Sequence, residues 1–311
     1  MNVKIIHKFI RPQVKAFERL PMDTKILFLK FLYSILIFRQ LAEILRVKAL
    51  LRIAVTPAFE LDRSQGFTKF RVGDNFTNSA VQFSRQILVS HLQGGEQRSN
   101  SKDYLRQIFN SGSLSEDSKF LFEWATSSEV LQPISKYFGK FPLLHEISVF
   151  YSPPTLQVNN DYRGSQLFHM DGGGTQCVKL WLLCEDVSLE NGPTVLLPAK
   201  LSLEVAKNIS YEPGTKIRDE EISPRNEDLF LAVGPSGTWF ATDTDRCFHY
   251  GSRTGISSGR LVLMFHYVDH NSTYYLPLLS RNYMLSTKKI SRNFVRGFSR
   301  FAKWSVRFRT V

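Results

Sequence analysis

Cysteine is scarce in this chain. Three occur in 311 residues, Cys177, Cys184 and Cys247, and no two stand in a Cys-x-x-Cys spacing. So few, and an odd number, exclude a disulfide framework and offer no structural zinc motif, so a reducing compartment is the expectation. A long apolar run is also missing. The greasiest stretch, ILFLKFLYSILIF at 26–38, is 13 residues long and is interrupted by Lys30. A membrane-spanning helix needs about 20 apolar residues, so a buried or interfacial helix is the better fit. The opening MNVKIIHKFIRPQVKAFERL mixes charge and apolar residues too evenly for the apolar core of a secretory signal, and a cytoplasmic location is expected. No internal repeat is visible.

Acidic residues are lacking at the ends. Residues 1–52 carry eleven Lys/Arg against three acids, and residues 288–311 carry eight Lys/Arg and none. Against a formal net charge of +12 for the whole chain, these ends carry a net +16, which leaves residues 53–287 at about −4. The high isoelectric point thus belongs to the tails, and nucleic acid is not expected as a partner of the body. In the last segment Ile290, Phe294, Phe298, Phe301, Trp304 and Phe308 recur at three and four, with Arg292, Arg296, Arg300, Lys303 and Arg307 on roughly the opposite face. That pattern predicts a basic amphipathic helix, either a peripheral membrane contact or a terminal helix docked on its own domain.

What the chain does have changes along its length. Residues 3–52 read mostly as helix, as do 77–94, 101–110 and 115–139, separated by QGGEQRSNS and NSGSLSED. From about residue 143 short runs rich in β-branched and aromatic residues take over: EISVFY, QCVKLWLLCED, TVLLP, DLFLAV, GTWFATD and RLVLMFHYV. Repeated short strands with turn signals predict a sandwich or a jelly-roll barrel. The expected fold is α+β, a double-stranded β-helix core at about 143–270 with a helical N-terminal layer. The expected divisions are a basic helical segment 1–52, a domain 53–287 and the helix 288–311.

Near the middle stands QLFHMDGGGTQ, residues 166–176. On a strand, residues i and i+2 share a face, so His169 and Asp171 can aim at one ion. Two histidines and one carboxylate on one side of a metal form the facial triad of non-haem iron(II) sites, with the opposite side open. Of the seven histidines, His249 stands out, because it lies at a strand end between GTWFATDTDRCF and YGSRTG. Eleven residues later Arg260 opens the strand RLVLMFHYV. An arginine at the head of an apolar strand must meet an anion or stay solvated, and a guanidinium matches a carboxylate in two-pronged fashion.

The segments FHMDGGG, VKLWLLCEDVSLENGPTVLLP, GPSGTWFATDTDRCFHYGS and GRLVLMFHY, over roughly 143–270, resemble the phytanoyl-CoA dioxygenase-like branch of the Fe(II)/2-oxoglutarate-dependent oxygenases. The resemblance implies that His169, Asp171 and His249 hold Fe(II) and that Arg260 grips the distal carboxylate of 2-oxoglutarate. O2 would then be consumed with release of succinate and CO2, and a small-molecule or carrier-bound substrate hydroxylated. Related halogenases have a small residue where Asp171 stands, so hydroxylation, or a desaturation or epoxidation variant of it, is favoured over halogenation. Further cosubstrate-pocket candidates are Lys179 and Trp181 on the strand after the metal pair, with Tyr151 and Gln157 on the preceding strand and loop. The sequence departs from the family at two points. A serine usual two residues after the late histidine is replaced by Gly251, with Ser252 one later, and LPAKLS stands where Gly-Ser-His is common. Two other readings remain open: a jelly-roll binding module without turnover, and a membrane-surface protein whose basic ends carry the function.

Overall fold

The computed structural model describes residues 41, 43–94, 102–110, 115–155, 161–171, 176–222, 224 and 226–269. The C-terminal basic helix, most of the N-terminal segment, Gln157 and the three glycines after Asp171 lie outside the described residues. The chain divides into two compact units, 1–48 and 49–311. In the first, residues 43–48 are helical. The second holds the two sheets and every element named below. Among the described residues no helix is long and apolar enough to cross a membrane.

The larger sheet has six strands, all paired antiparallel: β1 (Phe67–Phe70), β7 (Trp239–Thr242), β4 (Cys177–Leu183), β9 (Arg260–Val268), β3 (Leu143–Ser152) and β2 (Arg106–Asn110), in that spatial order. The smaller sheet runs β6 (Phe230–Leu231), β5 (Val195–Leu196), β8 (His249–Tyr250), also antiparallel. Two isolated bridges extend it, His169 to His249 and Phe168 to Ile217.

Why β9 sits in the middle follows from its sequence. RLVLMFHYV has no turn former, and all nine residues are buried. Because side chains alternate across a strand, Leu261, Leu263, Phe265 and Tyr267 enter the main core, while Arg260, Val262, Met264 and His266 line a cavity on the other face. Strand β4 repeats the split, with Val178, Leu180 and Leu182 in the core and Lys179 and Trp181 in the cavity.

The core face is covered by helices α1 (Asp74–Gln93), α2 (Lys119–Ala125) and α3 (Ser128–Phe138). Helix α1 buries Thr77, Ala80, Val81, Ser84 and Leu88, one stripe at helical spacing. Its Thr77 hydroxyl accepts a hydrogen bond from Trp239 Nε1 at 3.1 Å. Tyr267 Oη donates to the carbonyl of Ala125 at 2.8 Å, tying β9 to the end of α2. Helix α3 stops at Gly139, whose φ of +66° is the left-handed geometry glycine adopts without strain.

Two sequence expectations are corrected. Residues 101–110 were expected to be helical, but 106–110 form β2 against β3. RQIFN is too short to reveal a period, and pairing with a long partner strand decides its state. The larger sheet therefore reaches back beyond residue 143, taking β1 and β2 from the stretch read as a helical layer. Between β5 and β6 the chain forms helices α4 (Ala199–Asn208) and α5 (Asp219–Ile222).

The turn between β7 and β8 carries the chain into His249, and Asp243 organises it. Its carboxylate accepts from Tyr137 Oη at 2.6 Å and from the backbone N–H of Asp245 and Arg246 at 3.1 and 3.2 Å. Burial raises its carboxyl to about 6, against the lowering effects of the Tyr137 hydrogen bond and of Arg246. The folded state thus favours the protonated acid, a contribution that is full below the ordinary carboxylate range and is lost as pH rises through about 6. Asp243→Asn, which stays neutral, should gain on the wild type by up to about 3 kcal/mol between pH 4 and pH 7. Urea melts at both values check this; a difference independent of pH would contradict it.

Candidate metal and cosubstrate site

Between the sheets lies a cavity of about 360 Å³. His169, Asp171 and His249 meet at its wall, their ligand atoms all within 4.8 Å of one another. His169 Nε2 is 3.8 Å from Asp171 Oδ1, and His249 Nε2 is 3.9 Å from Asp171 Oδ2. The backbone creates this arrangement. His169 and His249 face each other across an antiparallel bridge, with N–H to carbonyl bonds of 3.1 and 2.9 Å in the two directions. Asp171 is held by its own N–H, donated to the Thr244 carbonyl at 2.9 Å.

Both rings are oriented by a second hydrogen bond. His169 Nδ1 lies 2.9 Å from the Leu167 carbonyl, and His249 Nδ1 lies 3.0 Å from the Cys247 carbonyl. A carbonyl can only accept, so each Nδ1 carries the proton and each Nε2 presents its lone pair to the site. Burial, with the neighbouring His249, brings His169 down to about 3 despite Asp171, and burial also lowers His249. Both imidazoles are thus neutral and ready to ligate at neutral pH. Burial pushes the Asp171 carboxyl up, but the Lys179 ammonium and hydrogen bonds from Lys179 and Thr244 together hold it well below the usual range. Lys179 Nζ donates to Asp171 Oδ2 at 2.6 Å, so one carboxylate oxygen is pinned while Oδ1 faces His169.

Arg260 is buried in the same cavity. Its Nη2 donates to Ser252 Oγ at 3.0 Å and its Nη1 to Thr194 Oγ1 at 3.2 Å, while its Nε has no hydrogen-bond partner among the described residues. Burial lowers Arg260 to about 10, still charged at neutral pH. A buried cation with an unsatisfied donor fits an anion. Ser252 accepts from Ser152 Oγ at 2.9 Å as well as from Arg260, so its own O–H remains to donate into the cavity. The offset from Gly251 to Ser252 has a steric reason. A Cβ at Gly251 would lie 3.2 Å from Arg260 Nη2 and 3.4 Å from Thr194 Oγ1. Glycine keeps the guanidinium's cradle open, and the serine reaches it from the next position at a φ of +62°.

The ENGP turn builds this end of the site rather than taking part in it. Asn191 Nδ2 donates to the Gly259 carbonyl at 3.0 Å, and Ser252 N–H donates to the Gly192 carbonyl at 3.1 Å. Gly192 has a φ of +62°, and a Cβ there would come within 2.6 Å of the Arg253 backbone.

The structure thus brings together His169, Asp171, His249, Arg260, Lys179, Trp181 and Ser252. It does not bring in Tyr151, which packs against the main core on the opposite face of β3; its neighbour Phe150 lines the cavity instead. Period two decides this, since Tyr151 shares parity with the core residues Ile147 and Val149.

Sequence reasoning passed over several lining residues. His145, Glu146 and His266 form a second group whose ligand atoms lie within 4.8 Å of one another. His266 was readable, being six residues from Arg260 and so on the same face of β9. His145 was not, because a register shift between Leu144 and Glu146 breaks the alternation. His266 Nε2 lies 3.1 Å from Cys177 Sγ, so its ring is not set up as those of His169 and His249 are.

No protein-family model matches the chain, and no curated protein matches it in sequence. Solved structures with a similar fold include AviO1 from Streptomyces viridochromogenes Tue57, at 15% identity and TM-score 0.45, covering 68% of this chain and 92% of that one. The α-ketoglutarate-dependent carbocyclase SnoK from nogalamycin biosynthesis is similar at 13% identity and TM-score 0.49, covering 71% and 88%. HygX from Streptomyces hygroscopicus, with nickel and 2-oxoglutarate bound, is similar at 15% identity and TM-score 0.45, covering 68% and 88%. At these values the functional conclusion rests on the cavity's own residues.

The two ligand groups differ in a way that metal titration reads. With both Nε2 lone pairs preset, the first equivalent of Co(II) added anaerobically should go to His169, Asp171 and His249. It should be lost in His169→Ala and kept in His266→Ala, each followed by the visible Co(II) spectrum. The reverse pattern would assign the metal to the second group.

Proposed function

We propose that this chain is an iron(II)- and 2-oxoglutarate-dependent oxygenase, with a double-stranded β-helix core like that of the phytanoyl-CoA dioxygenase-like branch. It hydroxylates a small-molecule or carrier-bound metabolite. The observation that carries this reading is the pairing, in one cavity, of a preset two-histidine, one-carboxylate group with a buried Arg260 whose Nε lacks a partner among the described residues.

His169, Asp171 and His249 would hold the iron, and its mixed imidazole and carboxylate donors suit a labile ferrous ion with open positions. Iron(II) with 2-oxoglutarate supplies the O2-derived oxidant, the cosubstrate leaving as succinate and CO2. The chain's own residues bind, orient and exclude water. Arg260 and the Ser252 hydroxyl take the distal carboxylate, with Thr194 steadying the guanidinium. Lys179 keeps Asp171 ionised and fixed in rotation. Trp181, whose Nε1 donates to Thr242 Oγ1 at 2.9 Å, holds a flat apolar wall beside the reacting centre, with Val262 and Met264. Those apolar faces keep bulk water from the oxidant. Asp171 fills the position a halide would need, which favours hydroxylation over halogenation. The basic ends are proposed as peripheral contacts of an otherwise cytoplasmic protein.

Anaerobic titration with Fe(II) and then 2-oxoglutarate, watched for the weak visible metal-to-ligand charge-transfer band, tests the reading. The band should need both additions, vanish in His169→Ala, and require roughly 10- to 1,000-fold more cosubstrate in Arg260→Ala, the loss of a buried charged partner. A binding module without turnover would show the band but form no succinate in air with any substrate. No band and no iron uptake would refute the assignment.

A further inference from the structure

Charge in the cavity is unbalanced. Its lining carries four cations, Lys102, Lys179, Lys216 and Arg260, against two carboxylates, Glu146 and Asp171. Lys179 is paired with Asp171, and Arg260 is assigned to the cosubstrate. Ferrous iron and a 2-oxoglutarate dianion carry equal and opposite charges, so loading both leaves the excess in place. The remaining cations are Lys102 and Lys216.

Among the described residues these two lysines have no carboxylate partner. Lys102 Nζ reaches Ser165 Oγ at 3.5 Å and lies 5.7 Å from the centre of the Tyr104 ring. Among the described residues Lys216 makes no hydrogen bond or ion pair. It is nonetheless fixed in place. The Phe168–Ile217 bridge, with bonds of 3.0 and 2.9 Å, sets Lys216 beside His169 across the ladder. Tyr211 Oη, accepting from Met170 N–H at 2.9 Å and donating to the Thr215 carbonyl at 3.1 Å, fastens the same loop from its other side. Both lysines are exposed to solvent while lining the cavity, so they stand at its mouth. Like charges held within reach of one another are unfavourable until an anion joins them.

We propose that Lys102 and Lys216 form a subsite for a phosphoryl group on the substrate, so that the enzyme acts on a compact phosphate monoester. This rests on the oxygenase reading above and names the substrate class of that same site. Two compact ammonium charges suit a dianionic phosphate, which lysine binds as point charge, whereas a carboxylate draws the planar fork of arginine. The position fits as well, since Lys216 stands beside a metal ligand and an ester held there lies next to the reacting centre. The cavity, at about 360 Å³, must hold the cosubstrate too, which limits the substrate to a small body.

The test uses the full chain loaded with Mn(II) and saturating 2-oxoglutarate, and follows phosphorus relaxation of inorganic phosphate and of glycerol 3-phosphate by NMR. Bound phosphorus near the manganese relaxes faster, and glycerol is the uncharged control, followed by its carbon signals. The expected result is saturable enhancement for both phosphates and none for glycerol. Lys216→Gln and Lys102→Gln should each weaken binding about tenfold, the effect of losing one charge-assisted contact. The double variant should abolish it, while the affinity for 2-oxoglutarate, read from the Fe(II) charge-transfer band, stays within twofold. Vesicles containing phosphatidic acid, run beside glycerol 3-phosphate, tell a lipid phosphate from a soluble one. Enhancement unchanged in the double variant, or phosphate displaced by raising 2-oxoglutarate, would overturn the proposal. Failure of the wild type to take up metal and 2-oxoglutarate would instead overturn the oxygenase reading beneath it.

Discussion

Strict alternation along two neighbouring strands is the constraint on which this molecule depends. β9 and β4 must bury both faces, and they can do so only because odd and even positions face different surroundings. On one side Phe265, Tyr267, Leu180 and Leu182 join Trp124 and Trp239 under the helical layer. Phe265 meets Trp124 edge-on at 5.2 Å, a contact worth about 0.5–1.5 kcal/mol beyond its buried area. On the other side the same strands hold out Arg260, His266, Lys179 and Trp181. The apolar half fixes the backbone that makes the polar half accurate. Slipping either strand by one residue would exchange the two sets and destroy core and site together.

The site's polar members are then made affordable by pairing. Lys179 meets Asp171, Arg260 meets Ser252 and Thr194, and His169 and His249 each use a backbone carbonyl two residues before them. That last relation is local, set by the extended backbone at 167–169 and 247–249. The same short motif therefore supplies both a ligand and the group that fixes its tautomer.

How much of this was legible in the sequence depends on whether a residue is placed by its own strand or by another. His169, Asp171 and His249 could be read because spacing and strand ends carry the information locally. Arg260 could be read because a cation heading an apolar strand demands an explanation. Lys179 and Trp181 followed from parity, and Tyr151 was misplaced by ignoring it. His145 depends on a bulge, and Lys102 and Lys216 depend on loops whose course is set by Tyr104, Tyr211 and the Phe168–Ile217 bridge; no window around either lysine contains that information. β2 escaped for a related reason, since a five-residue run takes its conformation from its partner. The Gly251 departure looked like damage to the cosubstrate pocket from sequence alone, and becomes intelligible only with the guanidinium beside it.

The bridge between Phe168 and Ile217 has one more consequence. It couples the backbone next to His169 to that of a residue at the cavity's mouth, while leaving the Lys216 side chain outside every hydrogen bond and ion pair of the described fold. The architecture therefore separates what must be inherited from what is free to vary. Main-chain pairing preserves the placing of His169 whichever side chain stands at 216, so a lineage could exchange that lysine and change the charge at the cavity's mouth without disturbing the facing histidines.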